Sequence, residues 1–226
     1  MPFRSTRTPH DVVHHPLFAR LYARLSPVVD ERAGVGAHRQ ALLTGLSGRV
    51  IEIGAGNGLN FPHYPGTVSE VVAIEPERRL RRLAVEAAVR AGVPVDVVPG
   101  AAEALPVKSE AFDAAVVSLV LCSVRDVRRS LAELRRVLKP GGELRFFEHG
   151  IAQGRVLAQV QRSLDRTVWP LVFGGCHTAR DPLASIEAAG FEMGDYRRLR
   201  VPRTRVPVPS SPCVLGVARR PAEPGP

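Results

Sequence analysis

Residues 50–60 read V-I-E-I-G-A-G-N-G-L-N, an apolar strand that runs straight into glycines at 54, 56 and 58. A strand that is apolar on both faces belongs in a parallel sheet covered by helices on each side. Glycines at its carboxyl end let the chain turn sharply and bring backbone close to a ligand with no Cβ in the way. In an open α/β sheet, ligands sit in the crevice at that end of the strands.

Outward from this stretch, strands and amphipathic helices alternate as in repeated βαβ units. Arg49 to Ile53 reads as strand one and Val71 to Ile74 as strand two, followed by a helix from Glu77 to Ala91. Val95 to Val98 is a short third strand, and Phe112 to Leu119 is the fourth. A helix then runs to Leu138 and stops at Pro140-Gly141-Gly142, before a fifth strand from Glu143 to Glu148. One long helical segment is expected over residues 154–173 and another over 181–189. Phe191 to Leu199 and Cys213 to Ala218 close the chain as strands. The proline-rich V-P-R-T-R-V-P-V-P-S-S-P between them is too irregular for a crossover helix, so this last pair is expected to be antiparallel. Residues 1–47 carry helical apolar spacing but belong to no βα unit. They read as an N-terminal helical arm, a lid over the ligand edge, while 48–219 form the domain and 220–226 a flexible tail.

The 226 residues suffice for one domain with a full core, and 45% apolar content excludes wholesale disorder. No apolar run reaches the length of a membrane span, and the Arg- and Pro-containing start lacks a secretion signal, which predicts a soluble, cytoplasmic protein. The net charge of +9 is carried almost wholly by arginine, since Lys108 and Lys139 are the only lysines. Together with abundant Ala, Val, Gly and Pro, this resembles GC-rich coding more than a nucleic-acid surface. The one dense basic run, Arg197 to Arg205, reads as ordinary solvated surface, with steering of an anionic partner as the alternative. Cys122, Cys176 and Cys213 are widely spaced, and no Cys–His pair has ligand spacing, so neither a disulfide framework nor a metal is expected.

Three further features stand at suitable distances from the glycine turn. Glu75, followed by Pro76, ends strand two, where a carboxylate can accept both hydroxyls of a ribose. Ala101, Ala102 and Glu103 follow strand three, where small residues leave room for a flat base. Ser118 to Ser123 follow strand four and line the remaining wall. A glycine-rich turn with a downstream acid also describes nicotinamide-dinucleotide sites, whose fingerprint is G-x-G-x-x-G. Here the spacing is G-x-G-x-G, Leu59 replaces the third glycine, and the following N-F-P-H-Y-P permits no long helix to face a pyrophosphate.

These residues resemble the class I methyltransferases that use S-adenosyl-L-methionine. The resemblance is carried by E-I-G-A-G-N-G (52–58), A-I-E-P (73–76), A-A-E-A-L-P-V-K-S-E-A-F-D (101–113) and L-R-R-V-L-K-P-G-G-E-L (134–144). S-L-V-L-C-S-V (118–124), F-F-E-H-G (146–150) and W-P-L-V-F-G-G-C-H-T-A-R (169–180) are similar to methyltransferase-like proteins that methylate small alkyl thiols. Those relatives carry an N-terminal membrane anchor, which the charged, histidine-rich start of this chain does not resemble. The resemblance implies a Rossmann-like seven-stranded sheet, mostly parallel with one antiparallel strand, and helices on both faces. It implies that Gly54, Ala55, Gly56 and Gly58 pack against the methionyl group and ribose. Glu52 is expected near the cofactor ammonium, Glu75 on the ribose hydroxyls, Ala102 and Glu103 beside the adenine, and the Leu119 carbonyl toward the cofactor amino group. Many members have an acid where Ala101 stands.

A transferase of this kind has to hold a nucleophile in line with the sulfonium methyl and exclude water. Strand four ends in S-L-V-L-C rather than the N/D-P-P-Y of base-amino methyltransferases, which argues against nucleic acid as partner. No acidic cluster suggests a magnesium-dependent catechol enzyme. Leu119, Val120, Leu121 and Cys122 predict an apolar wall for a small-molecule acceptor, with a thiol leading and O-, N- or C-acceptors as alternatives. A cofactor-binding regulator without transfer remains the reading from another class, and a homodimer is compatible with the sequence. His149, just after strand five, is the first candidate base; His177 is the second, with Arg180 as a partner for an anion. Tyr22 and Phe18 are expected in the lid. His10, His14 and His15 read as solvent-facing helix residues.

Overall fold

The computed structural model describes residues 16–202, 204 and 208–222. A seven-stranded sheet in the order β3-β2-β1-β4-β5-β7-β6 forms its centre. The strands are β1 (Gly48–Ile53), β2 (Val68–Ile74), β3 (Val95–Val98), β4 (Phe112–Ser118), β5 (Leu138–His149), β6 (Glu192–Arg200) and β7 (Pro212–Arg219). β7 is the reversed strand, antiparallel to both β5 and β6. The sheet therefore has the expected class and the expected antiparallel closing pair.

The chain winds from β1 outward to β3, then returns to place β4 on the other side of β1. Ile53 stands level with Ile74 of β2 and Val117 of β4, so three carboxyl ends emerge together at the point where the winding reverses. Successive residues of these strands feed opposite cores. Ile51, Ile53, Val72 and Ala115 pack with Leu131 and Leu134 of α4 (Val127–Val137) and with Ile186 of α7 (Pro182–Ala188). Val50, Val71, Ala114 and Val116 pack on the other face with Leu42 and Leu43 of α2 (Val35–Leu43) and Ala84 of α3 (Arg78–Ala88). The α2 leucines thus belong to the core of the sheet itself. Glu77, Asp126 and Asp181 cap α3, α4 and α7 by accepting backbone N–H groups of the first turn.

Three expected boundaries are corrected. The helix over 154–173 is two helices, α5 (Arg155–Asp165) and α6 (Trp169–Val172). Asp165 turns its carboxylate to the Thr178 and Ala179 N–H groups at 2.9 and 2.8 Å, and Pro170 has no N–H to continue the ladder. Strand five begins at Leu138 rather than Glu143, because Leu138 already pairs with Phe112 of β4; the register shifts before Glu143, where Gly141, at φ +77°, donates its N–H to the Arg220 carbonyl. The helix expected to reach Ala91 ends at Ala88.

Ahead of the sheet, α1 (Pro16–Ala33) joins α2 through Gly34, at φ +68°. Among the described residues no helix is long and apolar enough to cross a membrane. Arg197, Arg198 and Arg200 are exposed on the edge strand β6, where solvated charge discourages pairing with another sheet. His10, His14, His15 and Arg205 lie outside the described residues.

Candidate active site

A cavity of about 510 Å³ opens where β1, β2 and β4 end. Its floor is the glycine turn, and that turn is fixed by β2. The N–H groups of Gly54 and Ala55 donate to the Ile74 carbonyl at 2.8 and 3.1 Å. Gly54 (φ +67°) and Gly56 (φ +58°) line the cavity. A Cβ on Gly54 would stand 2.6 Å from Val120 Cγ2, so the β1 turn packs directly against the Val120 side chain of the β4 loop. Ala55 and Gly58 face elsewhere. Ala55 is buried in the core, and a Cβ on Gly58 would meet Ala87 of α3 at 2.7 Å. Gly58 thus supplies the close helix packing that a third fingerprint glycine provides in dinucleotide folds.

Glu75 stands at the cavity, 4% exposed. Gly56 N–H donates to its Oε2 at 2.7 Å and Glu77 N–H to its Oε1 at 2.8 Å. A carboxylate has about four acceptor positions, so two remain for a ligand. Burial outweighs the two N–H groups and pushes its pKa up to about 7. Pro76, Ala101, Ala102 and Glu103 continue the same wall. Glu103 Oε1 accepts the Arg125 N–H at 2.9 Å, tying this loop to the start of α4.

Leu119 lines the opposite wall with a left-handed backbone, φ +60°, uncommon for a side chain of its size. Its N–H donates to the Phe147 carbonyl at 2.7 Å. The segment after it is organised by Glu148, buried at the end of β5. Oε1 accepts the N–H groups of Val120 and Leu121 at 2.8 and 3.0 Å, and Oε2 accepts that of Cys122 at 3.3 Å. Burial raises the Glu148 pKa. The expected apolar wall is half right: Leu119 and Val120 line the cavity, whereas Leu121 and Cys122 turn into the interior.

Glu52 lies behind the wall, not in it. Asn60 Nδ2 and Tyr64 OH donate to its two oxygens at 2.9 and 2.7 Å, and burial pushes its pKa up to about 7. Arg39 completes this buried chain: Nη1 donates to Asn60 Oδ1 at 2.8 Å and Nε pairs with Asp30 at 2.8 Å. Sequence reasoning missed Arg39, Asn60, Tyr64 and Glu148. The available signal was a carboxylate inside an apolar strand, at 52 and again at 148, because such a group needs partners when buried.

The two histidines separate. His149 ends β5 away from the cavity, with Nδ1 3.5 Å from Cys176 Sγ. His177 lines the cavity. Its Nδ1 is 2.7 Å from the Gly175 carbonyl, which can only accept, so Nδ1 carries the proton and Nε2 the lone pair. Arg180 also lines the cavity, its Nη1 donating to the carbonyls of Leu121 and Val124 at 2.6 and 2.8 Å.

Tyr22 and Phe18 of α1 face each other at 5.6 Å between ring centroids, and both line the cavity. They also border a second cavity of about 240 Å³, which shares Leu119 and is walled by Leu21, Leu25, Val172 and Phe173, with the Asp30–Arg39 ion pair as its polar group. Apolar lining next to the crevice therefore comes from α1 and α6. A larger groove, about 950 Å³, lies between residues 150–160 and the β6–β7 edge and, apart from Gly150, contains none of the motif residues.

The methyltransferase-domain family matches residues 51–146. The chain is 32% identical to thiol S-methyltransferase TMT1B of Homo sapiens over 78% of its own length and 73% of that protein. It is 31% identical to the ubiquinone/menaquinone biosynthesis C-methyltransferase UbiE of Syntrophotalea carbinolica over 70% of each chain. A crystal structure of a SAM-dependent methyltransferase from Thermotoga maritima has a TM-score of 0.64 at 24% identity, covering 90% of this chain and 96% of that one. The strand order, the glycine turn at its reversal point and these relatives agree: the chain belongs to the class I S-adenosylmethionine-dependent methyltransferases.

Proposed function

We propose that the protein transfers the methyl group of S-adenosylmethionine to a small, largely apolar thiol. The observation that carries the cofactor half is Glu75, a buried carboxylate at the cavity whose orientation is set by Gly56 and Glu77 before any ligand arrives. Preset acceptors beside a floor without Cβ atoms fit an adenosine with free ribose hydroxyls, and the volume is in the range of small-ligand sites. The cofactor supplies an electrophilic sulfonium methyl. Glu75 accepts the ribose hydroxyls, and Gly54 and Gly56 let the backbone lie against the methionyl side. Pro76, Ala102 and Glu103 border the base, and the strained Leu119 presents main chain to the amino group. Phe18 and Tyr22 close over the site and keep water out.

The acceptor half rests on the second cavity and on the human relative's thiol activity in its name. The second cavity's apolar walls would hold an alkyl group, and the shared Leu119 and Tyr22 place it against the cofactor cavity. The cysteine thiol has a pKa of ~8.5 and a simple alkyl thiol ionises at higher pH, so at neutral pH a base is needed to make the nucleophile. His177 is the base this geometry favours, since Nε2 is left to take the proton while Nδ1 is held by Gly175. His149, the first candidate in the sequence, is reassigned to the cysteine cluster behind the wall.

Incubation with S-adenosylmethionine and a panel of alkyl thiols, phenols, quinols and amines tests this by formation of S-adenosylhomocysteine. Thioether products from alkyl thiols are expected. Methylation of a quinol or phenol alone would overturn the thiol assignment and keep the transferase; tight cofactor binding without turnover on any acceptor would favour a regulator.

A further inference from the structure

Behind the cavity wall, the ends of three segments converge. Cys122 follows β4, His149 ends β5 and Cys176 lies between α6 and α7, and one ligand atom from each falls within 4.8 Å of the others. All three are far apart in sequence, which is why their spacing gave no metal signal. We infer that Cys122, His149 and Cys176 form a three-ligand site for zinc(II), with the fourth position left to a donor from outside the chain.

Two thiolates and an imidazole are the donor set that suits zinc among abundant divalent metals. Bond lengths of ~2.3 Å to sulfur and ~2.0–2.1 Å to nitrogen make the S···N edge of a zinc tetrahedron ~3.6 Å. The Cys176 Sγ to His149 Nδ1 separation is 3.5 Å. Backbone holds the cluster in place without the metal: His177 N–H donates to the Cys122 carbonyl at 2.7 Å, and Glu148 fixes the Cys122 N–H. Charge also balances. Uptake of Zn²⁺ releases one proton from each cysteine, so the divalent cation and two thiolates leave a neutral unit in a buried place. Trp169, which opens α6, has a buried Nε1–H that makes no well-formed hydrogen bond among the described residues, and it stands near enough to Cys176 to favour the thiolate. A metal-bound thiolate would give that N–H an acceptor, the outer contact that metal sites commonly carry.

Among the described residues no fourth ligand joins the cluster. Ser123, Gly175 and His177, three of the four sequence neighbours of the two cysteines, are in the cavity wall. The fourth donor is water or the sulfur of the acceptor; the second role rests on the thiol reading, the site itself does not.

The test uses the full reduced chain, stripped of metal with a chelator and titrated with Co²⁺ as optical probe. A stoichiometric thiolate-to-cobalt charge-transfer band with the strong visible bands of a tetrahedral ion is expected, displaced by Zn²⁺. Cys122→Ser and Cys176→Ser should lose the band, while Cys213→Ser, altering a buried cysteine outside the cluster, should keep it. Circular dichroism of each variant checks folding, and His149→Ala gives a second ligand deletion that leaves both thiols. A band absent from the folded wild type, or one that survives all three ligand deletions, overturns the site, as does a Cys122–Cys176 disulfide that forms in place of metal uptake. A spectral shift on adding an alkyl thiol supports thiol ligation at the fourth position, and an unchanged spectrum refutes it; failure of methyl transfer in the separate turnover assay bears only on the thiol reading.

Discussion

The Glu75 carboxylate and the Gly56 amide are joined at 2.7 Å across the mouth of the first two strands, so the carboxyl end of β2 sets the shape of the turn after β1. This bond makes one unit of the glycine floor and the acid, and it is formed by the protein alone.

Cofactor affinity should depend on pH through Glu75. Its pKa is pushed up to about 7 by burial, and ribose hydroxyls donate best to the ionised form. Affinity is therefore expected to rise as pH increases through about 7, with proton release on binding below that value. Calorimetry in buffers of different ionisation enthalpy reads both, and a flat profile from pH 6 to 8 removes Glu75 from the contact.

The same burial has a stability consequence with opposite sense. Glu52 and Glu75 both titrate near 7 in the folded chain against about 4.5 when unfolded, so the fold binds more protons than the unfolded chain between those values. Their contribution is complete below about 4.5 and is lost as pH rises toward 7, by a few kcal/mol in total. Urea unfolding of the cofactor-free protein at pH 5.5 and pH 7.5 should show the lower stability at the higher pH.

Gly54→Ala should cost both stability and cofactor binding, since alanine at φ +67° is strained by about 1–2 kcal/mol and its Cβ would stand 2.6 Å from Val120. Gly45→Ala is the control: φ is +80°, nothing lies within 4 Å, and only the backbone strain is expected, with affinity intact. Equal unfolding losses in the two variants would show that the β1 and β4 loops do not press together.

Much of this architecture is legible in the chain. Val95–Val98 is the third strand to the residue, and the run into Gly54 and the acid at 75 mark the crevice because both reflect local rules: apolar runs make buried strands and glycines make turns. The break between α5 and α6 was hidden, since it depends on Asp165 reaching forward to Thr178 and Ala179. The buried partnerships of Arg39 with Asn60 and of Glu148 with the β4 loop were hidden for the same reason; each joins residues more than twenty apart.

Arg39→Met should be destabilising. The substitution leaves buried Asn60 and part-buried Asp30 without their shared cation, a loss of about 1–3 kcal/mol. A denaturation midpoint close to the wild-type value would show that water takes over the role of the guanidinium.

His177→Gln should lower kcat for a thiol acceptor by roughly 10²–10⁴-fold while leaving cofactor affinity nearly unchanged, the expected signature of a lost base. Turnover that recovers at alkaline pH, where the thiol ionises unaided, would identify proton removal as the lost step. A wild-type rate at neutral pH retires His177.

Recognition of the cofactor ribose by Glu75 is read by calorimetric titration of S-adenosylmethionine into wild type and Glu75→Ala, with circular dichroism to confirm that the variant is folded. Losing two hydrogen bonds to a charged acceptor, at about 1.5–3 kcal/mol each, should weaken binding by roughly 10²–10⁴-fold. Equal affinity in a folded Glu75→Ala protein would show that the carboxylate does not hold the cofactor.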